Sequence, residues 1–276
     1  MSIAPHVLVT EPLAGHVAGA VVALAEDRVH HLRRVLRLAE GDALSLTDGA
    51  GASADAQLVG DGARLSADAV VAPTSGMRLV LAQALSKGRR AEDAVRTACE
   101  LGVDRLVPVV AERTQGRPDA RGSEAVVERW RAVAAAALEQ SRGVRLAAVD
   151  EPIATRALAT RPAEVGAVRL VAVPGAAPLP DVLRDTLAHV LSDVLRDALA
   201  GEVVVAIGPE GGWSPQEVDA FVAAGWHPIG LGPTVLRTEH AGPAAVAVIA
   251  AAAGRWSAAA VPQQDTAGEP STDGTL

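Results

Sequence analysis

Tyrosine is absent from this sequence and phenylalanine occurs once. A core so poor in aromatic residues must be filled mostly by Val, Leu and Ala. Cysteine also occurs once, as Cys99, which excludes a disulfide framework and suits a reducing compartment. Cys99 falls in a helical pattern, where a small buried side chain is its ordinary role. Long apolar runs are missing too: Ala244 to Ala253, near the end, is too short to span a bilayer. The N-terminus lacks the basic-then-apolar layout of a signal peptide, so a cytoplasmic protein away from membranes is expected. Lysine is nearly absent: of 25 basic residues only Lys87 is lysine. The formal net charge of −8 argues against a protein that coats nucleic acid indiscriminately, but leaves room for a local basic patch.

What is present divides the chain into three stretches. Residues 1–72 are rich in turns, with short apolar runs "HVLVT", "ALSLTD", "ADAQLVG" and "RLSADAVV" separated by Gly and Asp. That pattern predicts a small barrel or sheet. One helix interrupts it, "EDRVHHLRRVLRLAEGD". Val29, Leu32, Val35, Leu36 and Leu38 supply its apolar side, His30, His31, Arg33, Arg34 and Arg37 crowd the remainder, and Gly41 ends it as a C′ residue.

A linker near 71–78 follows, and the rhythm changes to alternating strands and helices over 73–256, including one long helix at about 179–200. This alternation predicts a parallel sheet covered by helices. In the long helix "DVLRDTLA" recurs as "DVLRDALA" with a period too short for a solenoid, which reads as a local duplication. Residues 257–276 form a polar tail expected to be disordered.

The stretch "VVVAIGPEGGWSPQE" carries the most chemistry. Val203–Ile207 is a buried parallel strand in pattern, and Ser214-Pro215-Gln216-Glu217 is a capping box with proline at the first helical position. Trp213 and Val218 stand at hydrophobic-staple positions. A self-capped helix has few free N–H groups for a phosphate. Between strand and helix, Gly208, Pro209, Glu210, Gly211 and Gly212 match neither a Walker loop nor a dinucleotide fingerprint. Glu210 repels polyphosphate. The loop is either a plain turn or a cradle for a neutral or cationic ligand, read by backbone groups that approach closely at the glycines.

"HHLRRVLRLAEGD", "LAQALSKGRRAED", "ELGVDRLVPVVAERT", "EQSR", "IGPEGGWSPQEV" and "LGPTVLRTEHA" occur in this order over residues 30–241. Together they resemble the ribosomal RNA small subunit methyltransferase E family, the 16S rRNA uracil-N3 methyltransferases of the SPOUT class. The resemblance implies a PUA-like β-barrel followed by an α/β domain with a parallel sheet and a trefoil knot. It implies a homodimer, S-adenosyl-L-methionine as cofactor, no metal, and 16S rRNA or the small ribosomal subunit as partner. The cofactor would lie against Gly208–Gly212, against Leu231, Gly232, Leu236, Arg237 and Thr238, and against the strand edge near Leu81–Ala84. Arg237 and Glu239 would serve the reaction, the Glu by removing the uracil N3 proton, or would form a structural pair that pins the loop. His30, Arg33, Arg34, Arg37, Lys87 and Arg113, with Arg142 as a further candidate, would grip RNA phosphates. Trp213 and Trp226 either stack on a base or fill the core. His240 and Gly242-Pro243 depart from the family pattern, and the proline suggests a last helix that starts late. Within the same resemblance, the acceptor could instead be ribose or tRNA, or the chain could be a non-catalytic assembly factor.

Overall fold

The computed structural model describes residues 4–74, 76–86, 88–115, 120–164, 166–190 and 201–256. The second half of the duplicated stretch and the polar tail lie outside the described residues, as does Lys87.

Two sheets organise the chain. The first contains β1 (His6–Leu8), β2 (Val21–Ala23), β3 (Ala43–Thr47), β4 (Ala52–Val59), β5 (Gly62–Leu65) and β6 (Val70–Val71) in the order β1-β3-β4-β5-β2, with β6 beside β4. Strand β1 runs parallel to β3 and the other pairs are antiparallel. Burial alternates along β4, so one face packs on a core of Val22, Leu44, Leu46, Leu58 and neighbours while the other meets solvent.

Helix α1 (Glu26–His30) passes into a single π turn over His31–Val35. Only Val29 and Leu32 are buried, while Val35 and Leu36 are exposed at 60% and 45%. The wider turn breaks the 3.6-residue register that the sequence pattern assumes and rotates Val35 and Leu36 outward, while Leu38 still packs partly buried on the core. The turn is closed by Arg37, at φ 58°, and not by Gly41, which sits in the later turn before β3.

The second sheet contains β7 (Arg78–Ala84), β8 (Arg105–Val110), β9 (Ala148–Val149), β10 (Ile153–Ala154), β11 (Val168–Ala172), β12 (Glu202–Ile207) and β13 (His227–Ile229). All its pairs are parallel, in the order β10-β8-β7-β12-β11-β13, with β9 also on β8. Among the described residues no edge strand lies opposite Val107-Pro108, where proline offers no N–H to a partner. Helices α2 (Arg90–Glu100), α3 (Ala120–Ser141), α5 (Leu179–Val190) and α7 (Thr238–Ala252) accompany one face, and α4 (Thr155–Ala159) and α6 (Pro215–Ala223) the other. The alternation along β7 places Leu79, Leu81 and Gln83 on the α7 side and Val80, Ala82 and Ala84 on the α6 side. Helix α2 closes at Gly102, φ 89°, with its N–H on Cys99 O and that of Val103 on Ala98 O. Burial pushes the Cys99 thiol up to about 12, so it remains a protonated packing group.

The two sheets are joined through the "EQSRGVR" segment. Helix α3 ends with Arg142 at φ 57°, a position glycine usually takes. Its guanidinium offsets the strain by donating to Ala4 O at 2.7 Å and Ser45 Oγ at 3.1 Å. Arg145 donates to Ala50 O and Ala72 O, both at 2.7 Å, and Glu139 accepts from Leu8 N and Arg28. His6 Nε2 lies 2.9 Å from Gly143 O, which can only accept, so the neutral ring carries its proton there and Nδ1 accepts from the Ser45 hydroxyl at 2.6 Å.

Burial, aided by the Arg142 charge, holds the His6 pKa below 6.5, against the opposing pull of Gly143 O, Glu139 and Asp55. The unfolded chain therefore takes up the proton first as pH falls. Stability from this joint is complete above pH 6.5 and is lost as pH drops through 6.5 toward the lower folded value. The thermal midpoint should decline between about pH 7 and about pH 5, and His6→Gln should flatten that decline. Equal slopes for the two proteins would remove His6 from the pH response.

Candidate functional site

The carboxyl ends of the parallel strands are where such sheets hold ligands. Three segments meet there: the loop after β7, the glycine loop after β12, and the loop from β13 into α7. The glycine loop is rigid. Gly212 N donates to Pro209 O at 2.8 Å, and Gly212 has φ 67°. The capping box of α6 is complete, with Glu217 N on Ser214 Oγ and Ser214 N on Glu217 Oε2. The other Glu217 oxygen accepts from Glu112 N at 2.8 Å, so one carboxylate ties the loop after β8 to α6. Trp213 is buried and packs edge-on against Phe221, whose other edge meets Trp226. Trp226 Nε1 donates to Ala159 O. Both tryptophans fill the core and neither is available to a base.

Arg113 donates to Gly211 O at 3.0 Å and Trp213 O at 3.4 Å, so this cation braces the glycine loop instead of standing free for RNA. Arg142 is likewise spent on the joint between the sheets. Glu210 pairs with Arg90 at 3.2 Å on the rim of a cavity of about 490 Å³, also lined by Gly88, Arg89 and Gln115.

The third segment leaves β13 at Gly230, which is pressed under the stretch after β11: Gly230 N donates to Ala177 O, Leu179 N to Gly230 O, and a Cβ here would lie 2.6 Å from Ala176 O. Leu231 and Leu236 are half-buried against the core, while Gly232 is exposed at φ 122°. Helix α7 begins at Thr238 without a capping side chain. Pro243 lies inside the helix; it does not delay the start, but it denies the Glu239 carbonyl its usual N–H.

Thr238 is buried and links the segments. Its hydroxyl donates to Gly208 O at 2.9 Å and accepts from Gln83 Nε2 at 3.0 Å. Leu81 is fully buried beneath Gly242, where an added Cβ would stand 3.2 Å from it, so it supports the site from below. Arg237 is 77% exposed and 3.9 Å from Glu239, whose side chain is 13% exposed. A pair so long and so open at one end contributes little to stability.

Among the described residues, the buried side-chain polar atoms without a partner are Gln83 Oε1, Ser86 Oγ, Thr155 Oγ1, Trp213 Nε1 and Glu239 Oε2. Two of them, Ser86 Oγ and Glu239 Oε2, belong to segments around this crevice. Buried polar groups are nearly always satisfied, so such atoms point to an exogenous partner. Gln83, Ser86, Arg90 and Gly242 carry no functional signature in the sequence beyond one: a lone glutamine in the apolar run "LVLAQAL". On the first sheet, His30, Arg34 and Arg37 are exposed as a basic patch, whereas Arg33 is held by Glu40 at 3.0 Å and Gly60 O at 2.6 Å.

A parallel sheet with a glycine-bounded crevice at its carboxyl ends, preceded by a small sheet with a basic patch, is the arrangement to be matched. A family model described as an RNA methyltransferase domain matches residues 73–250, and one described as an RNA methyltransferase PUA domain matches residues 24–66. The chain is 34% identical over 246 residues to the ribosomal RNA small subunit methyltransferase E of Mycobacterium bovis, spanning 88% of this chain and 90% of that one. It is 33% identical to the Synechocystis protein of the same name over 83% of this chain and 73% of the relative. The crystal structure of a ribosomal RNA small subunit methyltransferase E from Neisseria gonorrhoeae, bound to S-adenosyl methionine, superposes with a TM-score of 0.74 at 27% identity, covering 90% of this chain and 98% of that one. The chain belongs to the ribosomal RNA small subunit methyltransferase E family.

The position a side chain would take at Gly211 is 3.2 Å from Arg113 Cβ, so a substitution there meets Arg113 before any ligand. Gly211→Val should displace Arg113 and lower stability by about 1–2 kcal/mol. Arg113→Ala removes the same two hydrogen bonds, so the two losses should be less than additive in thermal or denaturant unfolding. Full additivity would show that Arg113 does not brace the loop.

Proposed function

We propose that this protein uses S-adenosylmethionine to methylate N3 of a specific uridine in 16S ribosomal RNA. The observation that carries the reading is Glu239: a largely buried carboxylate with one orphaned oxygen, beside an exposed arginine, at the uncapped start of α7. The residues fit the cofactor. Glu210 and the self-capped α6 disfavour a polyphosphate, the N–H groups of Glu210 and Gly211 make no hydrogen bond among the described residues, and Leu231 and Leu236 offer apolar contact. Gly208–Gly212 and Leu231–Thr238 would hold the cofactor, which supplies a methyl group on a sulfonium.

Uracil N3 must lose its proton before it can attack. The Glu239 carboxylate accepts that proton, and the Arg237 guanidinium stabilises the negative charge that develops on the flanking carbonyl oxygens. The exposed Arg34 and Arg37, with His30, hold RNA phosphates. The reading also includes the division at 72/73 and a trefoil knot. The knot is supported by Gly230 pressed beneath residues 176–179 and by the return of α7 against both α2 and α5. A cytoplasmic homodimer completes it, the pairing supported by the exposed Val248 on α7 and Trp256 beyond its end.

Glu239→Gln should lower turnover by about 10²–10⁴, with the deficit shrinking as pH rises and uracil ionises unaided. Cofactor affinity, read by calorimetry, should hold. Normal turnover across pH would remove Glu239 from the chemistry. Nucleoside mass mapping of 16S rRNA from cells lacking the protein tests the product directly: the absence of 3-methyluridine, restored by complementation, is the outcome required.

Replacing Arg34 and Arg37 together by Ala should weaken RNA binding and reduce its logarithmic salt slope by roughly one for each phosphate no longer neutralised. An unchanged slope would make this face merely solvated.

A further inference from the structure

We infer that Gln83 is a positioning residue that sets the distance between the two loops of the cofactor crevice; this rests on the reading just given. Gln83 is fully buried at the carboxyl end of β7, in a run otherwise apolar. Its amide reaches Thr238, 155 positions away in sequence, at 3.0 Å, and Thr238 reaches Gly208 O at 2.9 Å. A single relay thus crosses from β7 through the start of α7 to the first residue of the glycine loop.

The direction of the relay is fixed by its end. Gly208 O can only accept, so the single Thr238 hydroxyl proton points there. Thr238 Oγ1 must then accept, and the Gln83 group facing it must be the NH₂ and not the oxygen. The oxygen is left aimed at α7, where it has no hydrogen-bond partner and lies 2.7 Å from where a Cβ at Gly242 would be. An amide with one buried atom unsatisfied is a poor device for stability alone. Methionine, of similar length, would remove both the donor and the orphaned oxygen, so the folded state should lose little. What it removes is the constraint that aligns Gly208 with Thr238, and through them the backbone groups on either side of the ligand.

Gln83→Met should therefore leave the unfolding midpoint of the ligand-free protein close to that of the wild type. S-adenosylmethionine affinity, measured by calorimetry well below that midpoint, should fall roughly tenfold, as for one lost buried hydrogen bond. KM for RNA should not change. Gln83→Glu places an acceptor where a donor is required and should weaken binding more than Gln83→Met does. Thr238→Val should lower affinity too, and the double variant with Gln83→Met should fall no further than the worse single variant. Gln83→Leu serves if the methionine variant does not fold. A lowered midpoint with unchanged affinity, or fully additive losses, would overturn the inference and leave Gln83 structural. Failure of the wild type itself to bind S-adenosylmethionine would instead sink the function proposed above.

Discussion

Helix α7 has to lie directly on the end of β7, and the rest of the site follows from that approach. Gly242 permits it: any side chain there would meet the Gln83 oxygen and the Leu81 methyl groups. With α7 this close, Thr238 can bond inward to Gly208 while Glu239, one residue on, stays largely buried. The approach also explains a proline within the helix. Pro243 cannot give the Glu239 carbonyl an N–H, but it stands beside Gly242 in the turn that is pressed on the sheet, where it is itself buried. The first turn of α7 is thus held by tertiary contacts where α6 is held by its own cap.

A second constraint keeps the two sheets in fixed relation. Arg142, Arg145 and His6 direct their polar groups at backbone carbonyls and the Ser45 hydroxyl across the joint, and Gly51 is a glycine because a Cβ would stand 2.6 Å from the Arg145 guanidinium. Arginine suits this task better than lysine, since one planar head satisfies two acceptors at set angles. The arginine-rich composition is thereby put to structural use, and it leaves Arg34 in the π turn and Arg37 just after it as exposed cations. On the RNA-binding role proposed above for Arg34 and Arg37, the bonds across this joint would hold the patch at a fixed distance from the crevice.

Sequence signals are legible where local physics decides the outcome. The capping box at Ser214, the glycine stop at Gly102 and the apolar strand before Gly208 all form as their patterns require. Strand β2 escapes a reading by pattern because Val21–Ala23 is too short for alternation to show. Periodicity puts Val35 and Leu36 on the buried side because it assumes 3.6 residues per turn, and a π turn has no sequence signature at that resolution. Arg142 looks like a cation for RNA because nothing local reveals that it occupies a left-handed position and faces Ser45, 97 positions away. Gln83 stays hidden for the same reason: its partner is brought to it only by the fold.

The charges around the crevice complete the physical picture. Glu210 extends from the glycine loop, yet it is not a free anion, because Arg90 at the start of α2 meets it at 3.2 Å on the cavity rim. The glycine loop therefore presents backbone N–H groups beside a neutralised carboxylate, with Arg89 as a further cation on the same cavity. On the other side of the crevice Arg237 and Glu239 stand 3.9 Å apart, with the arginine open to solvent and the carboxylate largely buried. In the reaction proposed above, an acceptor ring would give up its proton to Glu239 and build charge toward Arg237 only as it ionises, which is the condition for stabilising the reacting anion more than the resting base.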